Sequence, residues 1–181
     1  MTEMHAENVL FDRPLHVHYG FIWLHPEERF GEIVSGSPFA GQENGLCGAA
    51  IPGLLDLRTG LHTGAVSVRV VLVDSEPPLS EAEDIVEVSF RPDRSNLWFG
   101  GFDDGDEITL PVMSYRARWS ATAMDAGHDA DTVLEDETAP DRYELCFWPD
   151  ADTRPDQIVR LGSKTAAYWH STTTTTDDPE S

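Results

Sequence analysis

The sequence predicts a mainly β protein: an antiparallel β-sandwich with a long irregular Gly-rich insertion and at most short helices. Three observations lead there. Apolar residues alternate with period two in stretch after stretch, these stretches concentrate β-branched and aromatic residues, and turn-rich segments separate them. Helical periodicity is nearly absent. At 181 residues the chain is long enough for one well-buried core and short for two.

The first candidate strand is LHVHYGFIWL, residues 15–24, where Leu15, Val17, Tyr19, Phe21 and Trp23 alternate with His16, His18 and Gly20. AVSVRVVLV, 65–73, sets Val66, Val68, Val70 and Leu72 on one side, with β-branched content that suits a strand. DIVEVSFRP follows and is stopped by Pro92. NLWFGGF, EITLP and VMSYRARWSATA continue the series, with Met113, Tyr115, Ala117 and Trp119 on a shared face. RYELCFW closes it, and its Tyr143, Leu145 and Phe147 are expected in the core. About seven strands of this kind make a sandwich.

Residues 1–14 read as an N-terminal arm, 15–170 as a single sandwich domain and 171–181, STTTTTDDPES, as a disordered tail without an apolar residue to offset ordering entropy. The 26–58 region is the Gly-rich insertion, with room for one short helix, and SKTAAYWH near the C-terminus is a second helix candidate. Residues 123–142 form a polar, acidic connection.

Net charge is −21, from 33 acids against 12 bases. Residues 74–109 and 125–156 each carry 11 acids and two arginines. Such a surface repels phosphate backbones and anionic membranes and attracts basic proteins at long range, so direct nucleic-acid or membrane binding is not expected. Acidity also serves solubility, and a single lysine against eleven arginines is equally the mark of a compositional bias. No apolar run reaches the roughly 20 residues of a membrane helix, and the N-terminal MTEMHAENVLFDRP lacks the pattern of a secretory signal, so a cytoplasmic location is expected. Cys47 and Cys146 are far apart and outside any C-x-x-C pair, which points to reduced thiols.

Catalytic and cofactor signatures are missing: there is no G-x-S-x-G, no phosphate-binding lysine loop and no H-E-x-x-H. The expectation is a non-enzyme with no cofactor. His16 and His18, at i and i+2, share a strand face, yet no spacing selects a third ligand, so no metal is expected. FDDGDEI, 102–108, lacks the order of a calcium loop and reads as a tight turn between strands.

The order of HVHYGFIWL, the Gly-rich connection, a central hydrophobic strand, LPVMSYRARWSA and DRYELCFWPD resembles the bacterial competence protein J family over about residues 15–150. Pro111 and Tyr115 stand near that family's turn and tyrosine. The resemblance implies a small β-protein that inhibits a partner DNase and carries no catalytic residues.

Together with the charge, this gives the expectation of an acidic inhibitor or immunity partner of a basic protein such as a nuclease. The acids expected to face the partner are Asp103, Asp104, Asp106, Glu107, Asp129, Asp131, Glu135 and Asp136, with Trp98 or Trp148 as an aromatic anchor. A ligand- or metal-binding sandwich and a structural or assembly subunit are the alternatives.

Overall fold

The computed structural model describes residues 6–173. Two sheets pack face to face. One has six strands in the order β1 (Glu7–Val17), β5 (Gly64–Val73), β10 (Arg142–Pro149), β9 (Tyr115–Thr122), β6 (Asp84–Phe90), β11 (Gln157–Arg160). The other has five, in the order β3 (Cys47–Gly48), β4 (Leu55–Arg58), β2 (Phe21–His25), β7 (Asn96–Gly100), β8 (Gly105–Thr109). All pairings are antiparallel except β5 with β10, which run parallel. A parallel pair needs a crossover, and here the chain passes through β6, β7, β8 and β9, two strands from each sheet, between its two members.

The expected strand 15–24 is in fact two strands in different sheets. The chain breaks at Tyr19 (φ 61°) and Gly20 (φ 72°), and the buried row changes parity across the break. Leu15 and Val17 face the core before it; Ile22 and Leu24, not Phe21 and Trp23, face the core after it. A one-residue shift in parity moves a whole strand face, which is how a turn can hide inside an uninterrupted alternation. Residues 7–14, read as an arm, belong to β1. Pro14 suggests a break in sequence, but β1 is an edge strand, where a missing N–H costs no ladder bond.

The Gly-rich 26–58 region contains a 3-10 turn at Glu27–Arg29, the short helix α1 (Phe30–Ser35), β3 and β4. Only four residues long, β4 still buries Leu55 and Leu57 completely. The acidic connection contains an unforeseen helix, α2 (Met124–Ala130), anchored by buried Met124. The C-terminal helix candidate is α3 (Lys164–Thr173). Residues 171–173 of the expected tail belong to it, and the remainder of that tail lies outside the described residues.

The core between the sheets includes Tyr115, Ala117, Trp119, Tyr143, Leu145, Phe147, Phe99 and Phe11. Tyr143 stacks on Trp119 with ring centroids 5.1 Å apart, and Trp119 Nε1–H donates to Arg58 O at 3.1 Å. Burying each such side chain contributes about 1.5–3 kcal/mol. Met113, expected on the same face, precedes β9 and is exposed. The outer face of the six-stranded sheet carries a smaller apolar cluster of Val71, Val73, Cys146 and Trp148. Arg118 lies over the Trp148 ring at 4.8 Å and pairs with buried Glu87 at 3.0 Å. Trp169 of α3 packs on the Arg58 guanidinium, which also meets Phe21 and Phe39, so one arginine ties α3 to the five-stranded sheet.

Candidate partner-binding surface

At one end of the sandwich the β1–β2 turn, the β7–β8 turn, the 59–63 loop and the residue after α2 converge. Gly20 N–H donates to His62 O and Thr59 N–H to Gly20 O, each at 2.9 Å. A Cβ at Gly20 would press on Thr59 O at 3.2 Å and Leu61 O at 3.3 Å, so both its positive φ and this close approach require glycine. Tyr19, held beside it in the left-handed region, is 62 % exposed. A bulky residue in this conformation costs of order 1–3 kcal/mol, a type of strain that concentrates at functional sites.

The Tyr19 ring meets His62 at 5.1 Å and Phe102 at 6.2 Å between centroids. Phe102, 55 % exposed at the β7–β8 turn, stands edge-on to Trp23 at 4.8 Å and near His18 at 6.4 Å. The turn closes by Gly101 N–H donating to Asp104 O at 2.8 Å, as expected for FDDGDEI. An exposed aromatic pair is thus carried on two backbone turns that hydrogen bonds fix in place.

Carboxylates surround this pair in two states. Asp104 accepts from His16 N–H at 2.8 Å and from Arg13 at 3.0 and 3.2 Å; Asp106 accepts from Arg13 Nε at 3.0 Å. Arg13 therefore clasps β1 to β8 across the open edge of the sandwich. Burial pushes the Asp104 carboxyl up, but the Arg13 and His16 hydrogen bonds and the Arg13 charge outweigh it and hold Asp104 below the usual carboxylate range. Both Asp103 carboxylate oxygens lie near His18 Nε2, at 3.1 and 3.2 Å, and the side chain remains exposed. The Asp131 carbonyl, at a residue with φ 61°, accepts from His62 N–H and Thr63 N–H at 2.9 and 3.0 Å, which ties the residue after α2 to the 59–63 loop, and its exposed carboxylate accepts from the Thr132 hydroxyl at 3.0 Å.

Of the acids singled out from sequence, Asp103, Asp104, Asp106 and Asp131 meet at this end. Glu107 lies opposite Trp98 on the outer face of the five-stranded sheet, where Trp98 is half-buried. Asp129, Glu135 and Asp136 are exposed on α2 and the loop after Asp131, with no contact linking them to the aromatic pair. Trp148 cannot be an anchor. It is 3 % exposed because Arg118 covers it.

Sequence reading missed Tyr19, Phe102, His62 and the residue that holds the 59–62 loop beneath them, Asp141. Asp141 is 1 % exposed, accepts from Leu61 N–H at 2.9 Å and takes the Tyr143 hydroxyl proton bond, while Gly60 N–H donates to that hydroxyl at 2.7 Å. A Cβ on Gly127 would overlap the Asp141 carboxyl group, so α2 can lie against it only with glycine there. Burial, then the Asp141 charge, push the Tyr143 phenol well above its ordinary value. The available signal for Tyr19 and Phe102 was a large aromatic immediately before a turn residue, in Tyr-Gly and Phe-Asp-Asp-Gly.

Among the described residues no three His, Cys, Asp or Glu side chains are grouped to hold a metal ion. The His16 and His18 rings are 4.6 Å apart, and only His18 meets a carboxylate side chain. Both thiols are buried; desolvation raises Cys47 and pushes Cys146 up to about 12, far from a reactive thiolate. No described helix is long and apolar enough to cross a membrane.

Among solved structures the chain is similar to ComJ from Bacillus subtilis, described as an inhibitor of the DNA degrading activity of NucA. The TM-score is 0.54 at 14 % identity, over 80 % of this chain and 99 % of ComJ. The chain has a ComJ-like fold. A second similar structure is described as crocagin biosynthetic gene J, with a TM-score of 0.51 and 17 % identity over 80 % of this chain and 99 % of that one. No protein-family model and no curated protein matches the sequence. The ComJ-like fold agrees with the resemblance drawn from the order of strands, and at these identities the likeness extends to the fold alone.

Proposed function

We propose that this protein is a non-enzymatic inhibitor or immunity partner that binds a basic protein, with a nuclease the most concrete candidate. The observation that carries the reading is the exposed Tyr19–Phe102 pair on two hydrogen-bonded turns, with Asp103 on the Phe102 turn and Asp131 bonded through its backbone to the neighbouring 59–63 loop. Aromatic anchors supply desolvated contact area, and surrounding acids steer a basic surface into place. The acidic surface as a whole, −21 in net charge, would raise the encounter rate with a basic groove that otherwise holds nucleic acid. The neighbour ComJ, an inhibitor of a DNA-degrading activity, supports the same class of role.

The arrangement divides labour between charge and contact. Asp103, Asp131 and, further along the sheet, Glu107 act on association, while Tyr19 and Phe102 set the lifetime of the complex. Asp104 and Asp106 are already paired with Arg13 and belong to the scaffold of the surface.

The test is affinity capture from the source lysate at low salt, elution at high salt and nuclease assay of the eluate with and without the bait. A stoichiometric basic protein whose nuclease activity falls on adding the bait supports the reading. The triple reversal Asp103→Lys, Glu107→Lys, Asp131→Lys should then slow association and flatten its salt dependence, and Tyr19→Ala with Phe102→Ala should speed dissociation. Recovery of the bait alone, or unchanged kinetics in both variants, overturns it.

A further inference from the structure

A second site lies on the outer face of the six-stranded sheet. A groove of about 480 Å³ runs between the Asp12–Pro14 segment of β1 and residues 80–82, and its floor is formed by β5, β10 and β9. That volume falls in the range of small-molecule sites. Strand register places Ser67, Arg142 and Thr122 in one row across the floor, and Arg69, Glu144 and Ser120 in the next.

The second row is partly satisfied from within, since Arg69 pairs with Glu144 at 2.9 Å. The first row is not. Arg142 has no hydrogen-bond or ion-pair partner among the described residues, whereas each of the other ten arginines has at least one. In a chain of 33 acids, an unpaired arginine is the exception. The hydroxyls of Ser67 and Thr122 beside it are likewise without a partner in the described protein, and so is that of Ser120, although Ser120 is only 7 % exposed and borders the groove. Here it looks onto the cavity.

The Arg142 guanidinium and the Ser67 and Thr122 hydroxyls make one row of donors across the floor, suited to a single acceptor group. A guanidinium matches a carboxylate with two parallel N–H···O bonds, and neighbouring hydroxyls complete the oxygen's remaining acceptor directions. The exposed acids Asp12 and Glu81 on the walls disfavour a doubly charged anion and leave a singly charged one. We propose that this groove binds a compact organic carboxylate, held by Arg142, Ser67 and Thr122, with its body extending over Ser120 toward the Arg69–Glu144 pair. The ligand is either a small free acid or the carboxyl-terminal residue of a peptide; the recognised chemistry is the same.

The experiment is an NMR titration of the full chain at near-neutral pH and low salt with N-acetylglycine and with its uncharged amide, then with trialanine bearing a free or an amidated C-terminus. Saturable shifts of the Ser67, Ser120, Thr122 and Arg142 amides with the carboxylates, and not with the amides, are expected. Arg142→Gln should weaken binding about tenfold or more, Arg142→Lys less, and Ser120→Ala should weaken it several-fold. Thermal unfolding of each variant checks that the fold is retained. Tighter binding of trialanine would identify a peptide terminus and equal binding a small acid, both supporting the proposal. Absence of saturable shifts, equal shifts with the amides, or wild-type affinity in Arg142→Gln would overturn it.

Discussion

Asp141→Ala tests how the partner-binding surface is held. The carboxylate accepts from two buried donors, Leu61 N–H and the Tyr143 hydroxyl, and the substitution strands both. A buried donor left unsatisfied costs about 1–3 kcal/mol, so the loss is about 2–6 kcal/mol, with a central value of about 4 kcal/mol. For a chain of this size that lowers the melting temperature by about 8–16 °C. Urea unfolding followed by tryptophan fluorescence reports the loss, because Trp119 stacks on Tyr143. Amide exchange adds a local readout: Leu61 and His62 should lose protection, the former as the direct donor, the latter because its bond to Asp131 O depends on the same loop. Tyr143→Phe removes the other half of the pair, and the double variant should fall short of the sum of the singles by about 1–3 kcal/mol. A loss below about 1 kcal/mol, or strict additivity, would refute the view that this pair pins the 59–62 loop.

Three further outcomes follow from the same geometry. Burial pushes the Asp56 carboxyl up to about 6 against the pull of Arg58, so the folded state binds an extra proton between the ordinary carboxylate range and that value. This group's contribution therefore falls as pH rises, by about 1 kcal/mol between about pH 5 and pH 7, and Asp56→Asn should flatten that part of a stability–pH curve. Asp104→Ala opens the Arg13 clasp; its partly exposed bonds are worth about 1–2 kcal/mol, or about 2–8 °C in melting temperature. Because Asp104 is held below the usual carboxylate range, its contribution is present above that range and is lost as pH falls through its lowered value. Phe99→Ala empties a fully buried site against Phe11 and should cost about 3–5 kcal/mol in urea unfolding.

Most of the strands were legible because period-two alternation is a local property. Val66, Val68 and Val70, or Tyr143, Leu145 and Phe147, declare their buried face with no knowledge of what they pack against. The four-residue β4 and β11 were not legible, since their strand identity comes from pairing with β2 and β6 and not from their own pattern. Part of the site was legible in the same limited sense. Acid-rich turns announce themselves in composition, but whether an acid stays exposed beside a histidine, as Asp103 does, or is clasped, as Asp104 is by Arg13 across 91 positions, depends on a partner distant in sequence.

The sequence by itself determined the β class, the buried faces of strands such as β5 and β10, the acidity and the turn at residues 102–104, because each rests on neighbouring residues or on a sum over the chain. Tertiary structure alone decided that Tyr19 and Phe102 stand together in the open, that Trp148 lies sealed under Arg118, and that Arg142 faces a groove without an acid to pair with. Exposure and pairing are properties of which strands become neighbours, and the long-range pairing that makes them neighbours leaves no short-range mark in the chain.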